Sequence, residues 1–111
     1  MRFAILGAAL ALILNGMDAG AGERARPKKT YTVTMEGMKF QPQVLTVAVG
    51  DTVIWVNKDL VAHTATDPDG TFDSKLIAPD KSWKLTVRKP GDFPYVCTYH
   101  PTMKGTLKVE K

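Results

Sequence analysis

The sequence has little cysteine and little histidine, one Cys and two His in 111 residues. A lone cysteine cannot close an internal disulfide, and it excludes a zinc site built on paired cysteines. No apolar run is long enough to span a bilayer: Phe3 to Leu14 gives twelve residues, whereas a transmembrane helix needs about 20. Internal repeats and low-complexity segments are absent. Neither sign of charge dominates, since 15 Lys+Arg against 11 Asp+Glu leave +4 spread along the chain, a poor basis for nucleic-acid binding. At this length two independent catalytic domains will not fit, and a single small domain is expected.

What is present begins with a leader. Arg2 precedes the apolar run, Asn15 and Gly16 break it, and Ala19-Gly20-Ala21 has the small-x-small form that signal peptidase accepts. The pattern predicts a signal peptide over residues 1–21 and a periplasmic or secreted protein. With no Cys near the cut, a lipid-modified terminus is excluded and no stable membrane insertion is expected. Residues 22–29 carry Arg24, Arg26, Lys28 and Lys29 and are expected to form a basic, solvated tail. One domain is expected over residues 30–111, as a monomer. A chain this small buries only roughly 60–65% of its unfolded surface, so without a disulfide a bound metal would help to stabilise it.

The rest alternates with a period of two. Thr30–Met35 sets Tyr31, Val33 and Met35 against three threonines, and Lys81–Val87 sets Trp83, Leu85 and Val87 against Ser82, Lys84 and Thr86. Val44–Val49 and Thr52–Asn57 are β-branched runs separated by Gly50-Asp51, which predicts a tight hairpin between them. Phe93, Tyr95 and Cys97 share a face after the turn Pro90-Gly91-Asp92, and Thr106–Glu110 closes the chain. Pro94 cannot donate to a ladder, so it belongs at a sheet edge or a bulge. Between Asn57 and Lys81 the pattern is less regular, with a turn at Asp67-Pro68-Asp69-Gly70 and room for one or two short strands and a helical turn near Ser74–Ala78. Short, evenly spaced strands predict a β-sandwich.

Cys97, His100 and Met103 fall within seven residues, and the other histidine is His63. Taken singly, a buried Cys is usually an inert hydrophobe, a Met core filler and a loop His a solvated base. Together, C-x-x-H-x-x-M and a second His after a W-x-N strand supply two imidazoles, one thiolate and one thioether, the donor set of a blue-copper site. Cys97 is expected to end a strand, with His100 and Met103 following round a tight loop.

On these residues the chain resembles a cupredoxin, and within that family it is most similar to the amicyanin and plastocyanin group. The likeness extends through Met38-Lys39-Phe40 before Pro42, Val49-Gly50-Asp51-Thr52-Val53, Trp55 and Asn57 ahead of His63, Pro90-Gly91 with Phe93 and Tyr95, and Lys104-Gly105. The short ligand loop is amicyanin-like. The resemblance implies a Greek-key sandwich of seven to eight strands in which His63, Cys97, His100 and Met103 hold one copper ion. Two positions depart from the group. Thr64 stands where many relatives have an Asn that ties the ligand loops together, which implies a shorter, weaker brace, and Tyr99 stands where many have Pro.

A copper held in a compromise geometry by packed strands has little to rearrange on gaining an electron, so a one-electron carrier is expected. Four protein donors leave no open position for a substrate, which argues against an enzyme. His100 is the expected electron port, with Val61, Tyr99 and Pro101 as an apolar surface for redox protein partners, and the lysines could steer an acidic partner. The alternative with the same fold is a periplasmic copper-binding or copper-delivery protein. A cysteine hydrolase using Cys97 finds no local protease signature here, and a zinc site is disfavoured by Met103.

Overall fold

The computed structural model describes residues 26–111; the expected signal peptide and the start of the basic stretch lie outside the described residues. Seven strands follow in order: β1 (Thr30–Met35), β2 (Phe40–Gln41), β3 (Val44–Ala48), β4 (Thr52–Asn57), β5 (Ser82–Thr86), β6 (Gly91–Cys97) and β7 (His100–Glu110). They form one sheet of order β2-β1-β4-β5 and a second of order β3-β7-β6, with no helix among the described residues. This is the expected Greek-key sandwich. The chain changes sheet at β2–β3, β3–β4 and β5–β6, and those crossings make β1 parallel to β4 and β3 parallel to β7.

Strand alternation builds the core. Val33 and Met35 from β1, Val53 and Trp55 from β4, Tyr95 and Cys97 from β6, and Leu107 and Val109 from β7 are all buried. Each large side chain of this kind contributes about 1.5–3 kcal/mol on burial. The Trp55 indole donates to the Tyr95 hydroxyl at 3.1 Å, which satisfies the indole N–H in the interior. Burial pushes the Tyr95 hydroxyl up to about 12, the hydrogen bond from Trp55 offsetting only part of the rise. Gly105 lies against this ring, and a Cβ there would stand 2.6 Å from Tyr95 Cζ.

Several local expectations change. Gly50 does take a positive φ of 98°, and Asp51 N–H donates to the Ala48 carbonyl at 3.0 Å, but β3 and β4 lie in different sheets and the turn is a crossing, not a hairpin. Alternation reports which face of a strand is buried and says nothing of which sheet it joins. Asp51 is the buried post of this crossing, accepting from Ala48 N, Lys29 N and Arg26 Nη2, each at 2.9 Å. Burial alone would raise its pKa, but the two backbone amides and the Arg26 guanidinium win and hold it at about 2. The basic stretch is therefore exposed yet tethered from Arg26 onward. Pro94 lies in edge strand β6, as its missing donor requires.

The connection between β4 and β5 holds no helical turn at Ser74–Ala78. It doubles back on itself through bridges between His63 and Ile77 and between Thr66 and Asp73, and it pairs Thr66 with Val96 of β6. Ser74 and Ile77 spend their amides on the Ala65 and His63 carbonyls, at 3.0 and 2.8 Å, and so stay extended. The turn at Asp67 forms as expected, with Gly70 N donating to the Asp67 carbonyl at 2.9 Å.

Candidate metal centre

Two segments meet at one end of the sandwich. One is the β6–β7 hairpin. β6 ends at Cys97, only Thr98 and Tyr99 form the turn, and His100 already pairs with Cys97. The register then jumps, since Val96 pairs with Lys104, so Pro101, Thr102 and Met103 bulge from β7. The ligand loop expected to run through Met103 is thus a tight turn followed by a bulged strand, and β7 begins at His100 instead of Thr106. The bulge leaves Pro101 and Thr102 exposed and turns Met103 inward, 2% exposed within the core.

The other segment follows β4. Buried Asn57 shapes it, its amide donating to the Val61 and Ile77 carbonyls at 2.8 and 2.9 Å while its Oδ1 accepts from Asp59 N at 2.9 Å. The loop so formed carries His63 into the interior at 0% exposure. There His63 Nδ1 lies 3.5 Å from Cys97 Sγ, and His100 Nδ1 lies 3.7 Å from the same sulfur. One donor atom from each of His63, Cys97 and His100 falls within 4.8 Å of the others, a spacing that can hold one metal ion. Among the described residues these are the three His and Cys side chains of the chain, brought together as the sequence predicts.

Hydrogen bonds fix these donors. Thr64 N donates to Cys97 Sγ at 3.4 Å, which fixes the position of the sulfur. The Thr64 hydroxyl accepts from Thr98 N at 2.9 Å and lies 2.9 Å from Thr66 Oγ1, and the Thr66 hydroxyl donates to Asp73 Oδ1 at 3.0 Å. The short side chain at position 64 therefore does join the two ligand segments. His63 Nε2 meets Asp59 Oδ2 at 2.7 Å. Burial opposes the charge on Asp59, but the His63 ring and the amides of Met38 and Gly37 outweigh it and lower its pKa. Sequence reasoning passed over Asp59; a carboxylate four residues before a ligating His is the signal that could have found it.

The donor set suits a soft, redox-active ion: two imidazoles and a buried thiol, with a buried thioether three residues beyond His100. The cupredoxin-like domain family matches residues 3–109. Amicyanin of Paracoccus versutus is 30% identical over 89 residues, covering 76% of this chain and 67% of that protein. Amicyanin-alpha of Methylorubrum extorquens is 29% identical over 119 residues, covering 99% of this chain and 100% of that protein. Among solved structures, a Cu(I) form of an amicyanin mutant superposes with a TM-score of 0.65 at 30% identity, over 73% of this chain and 82% of that one. A copper-containing nitrite reductase from Thermus scotoductus superposes at 0.70 with 33% identity over 74% of this chain, but this chain spans only 22% of that enzyme. Matched from nearly one end to the other, and folded as its relatives fold, the chain belongs to the cupredoxin-like family.

Proposed function

We propose that this chain is a periplasmic type 1 copper protein that carries single electrons between redox partners, with His63, Cys97, His100 and Met103 holding one copper ion. The observation that carries this reading is the convergence of His63, Cys97 and His100 donors within 4.8 Å. When bound, copper supplies the Cu(I)/Cu(II) couple, and soft sulfur donors favour the reduced ion. The chain's own residues do the rest. Cys97 offers the thiolate, supported by the Thr64 amide. His63 is held in the interior, whereas His100 is half-buried at the surface and gives the electron its way out. Met103 adds a buried thioether. Four protein donors leave no position for a substrate, which supports a carrier and not an enzyme.

The partner side is proposed at the His100 end, where Tyr99 is 53% exposed, Val61 46% exposed and Pro101 exposed. An apolar surface of this kind suits the small, brief contacts of redox proteins. Monomeric state and export by the leader over residues 1–21 complete the proposal.

Adding Cu(II) to purified metal-free protein should produce an intense blue charge-transfer band and a reversible one-electron voltammogram, and Cys97→Ser should abolish the colour. A colourless wild type, or a mutant that stays blue, defeats the reading. Rapid loss of copper to a chelator, without reversible voltammetry, would instead favour copper delivery.

A further inference from the structure

We propose that the cleft between the free edges of β5 and β6 binds a small amphipathic carboxylate, with the apolar tail between the sheets and the head at Arg88 and Lys89. One sheet ends on β5 and the other on β6, and no ladder joins those two strands. Alternation turns Leu85 and Phe93 toward the interior, yet both are only partly buried, whereas Val53, the partner of Leu85 on β4, is fully buried. Both residues line a cavity of about 260 Å³, together with buried Val87, Leu107 and Val109. Phe72 forms another part of the wall and is held by rings, its centroid 6.1 Å from that of Trp83 and 5.7 Å from that of Trp55. Closing the cavity from this side would break those contacts. Apolar walls that face empty space forfeit dispersion contacts, and an apolar tail restores them.

The polar side of the cleft carries charge of one sign. Arg88 and Lys89 line it and are exposed, and no Asp or Glu does. Among the described residues no carboxylate pairs with either cation, and Asp92, next to Phe93 on β6, meets Lys108 Nζ instead at 3.4 Å. A guanidinium offers paired N–H donors that match a carboxylate. Pockets for drug-sized ligands run from about 300 to 1,000 Å³, so this smaller cavity fits one short chain and excludes a two-tailed lipid. The cleft is separate from the metal centre, because Phe93 stands four residues before Cys97 on β6, about 13 Å at the rise of a strand.

Methyl NMR of the purified, reduced protein titrated with octanoate tests the site. Saturable shifts are expected at Leu85, Val87, Leu107 and Val109, with Val61 beside the metal centre unmoved. Octanol has the tail without the charge and should bind about fivefold more weakly, the modest worth of two exposed ion contacts. Replacing both cations, Arg88→Ala with Lys89→Ala, should weaken octanoate by the same factor and leave octanol unaffected. Leu85→Trp fills the cleft and should abolish the shifts. Shifts that are absent or scattered over the surface overturn the site, as does a folded Leu85→Trp protein that binds octanoate like wild type. Octanol binding as tightly as octanoate, or an unaltered octanoate affinity in the double alanine variant, overturns the anionic head.

Discussion

Thr64 shows what a single side chain does at this centre. Its hydroxyl accepts the Thr98 amide at 2.9 Å and lies 3.2 Å from the Thr98 hydroxyl, so a short residue bridges the two ligand segments because Thr98 and Thr66 bring their own hydroxyls to it. Thr64→Val keeps the shape and orphans the Thr98 amide. The copper-loaded variant should lose about 0.5–1.5 kcal/mol, the usual net worth of a hydrogen bond, since this one is only partly buried; the loss is read as a lower urea midpoint, and the blue absorption should shift as Cys97 loosens. An unchanged midpoint and spectrum would show that the bridge is idle. The three donors that meet within 4.8 Å were legible in the sequence because they are rare, one Cys and two His in the chain, whereas Met103 is one of five methionines and was singled out only by its spacing from Cys97 and His100. Thr66 and Asp59 were not legible, because abundant residue types acquire meaning only once the loop after Asn57 has turned them inward.

At the scale of the element, β-strand existence was readable from alternation and strand partnership was not. The ligand hairpin is the clearest case. Pro101 and the Lys104-Gly105 pair interrupt the apolar rhythm, so the sequence points to a strand starting at Thr106, yet β6 recruits the chain as far back as His100. Gly105 permits this, since its missing side chain lets β7 pass against Tyr95. Gly105→Ala must displace the ring that accepts the Trp55 hydrogen bond, and such overpacking costs about 1–3 kcal/mol; denaturant unfolding should show it, and a variant as stable as wild type would refute the close contact. The β3–β4 crossing carries a different signature, in pH. Asp51 is held at about 2 in the folded chain, below its unfolded value of about 3.9. A depressed folded pKa gives stability that is complete above the unfolded pKa and disappears as pH falls from about 4 through about 2. Asp51→Asn should flatten the acid limb of the stability profile over that window while leaving the neutral limb parallel to wild type. An acid limb as steep as wild type would mean that other carboxylates carry it.

For the whole molecule, the centre is where the two sheets are joined. His63 comes from the segment that leaves β4 of the first sheet, while Cys97, His100 and Met103 belong to β6 and β7 of the second. With its one cysteine free, the chain has no disulfide between sheets, and a domain of this size has a small margin of burial to rely on. A metal bound only by the folded chain stabilises it by mass action, about 4 kcal/mol when free metal exceeds its dissociation constant a thousandfold. Because one kcal/mol moves the midpoint of a domain this small by about 4–8 °C, copper should raise the Tm by more than about 10 °C. The rise should grow with the logarithm of free copper, which distinguishes binding at the site from a fixed change in packing. Cys97→Ser should keep a metal-free Tm near that of the metal-free wild type, since the two side chains are close in size, yet lose most of the copper-dependent rise. Calorimetry with and without copper on both proteins decides it: an equal rise in the variant would place the stabilising ion somewhere other than between the sheets.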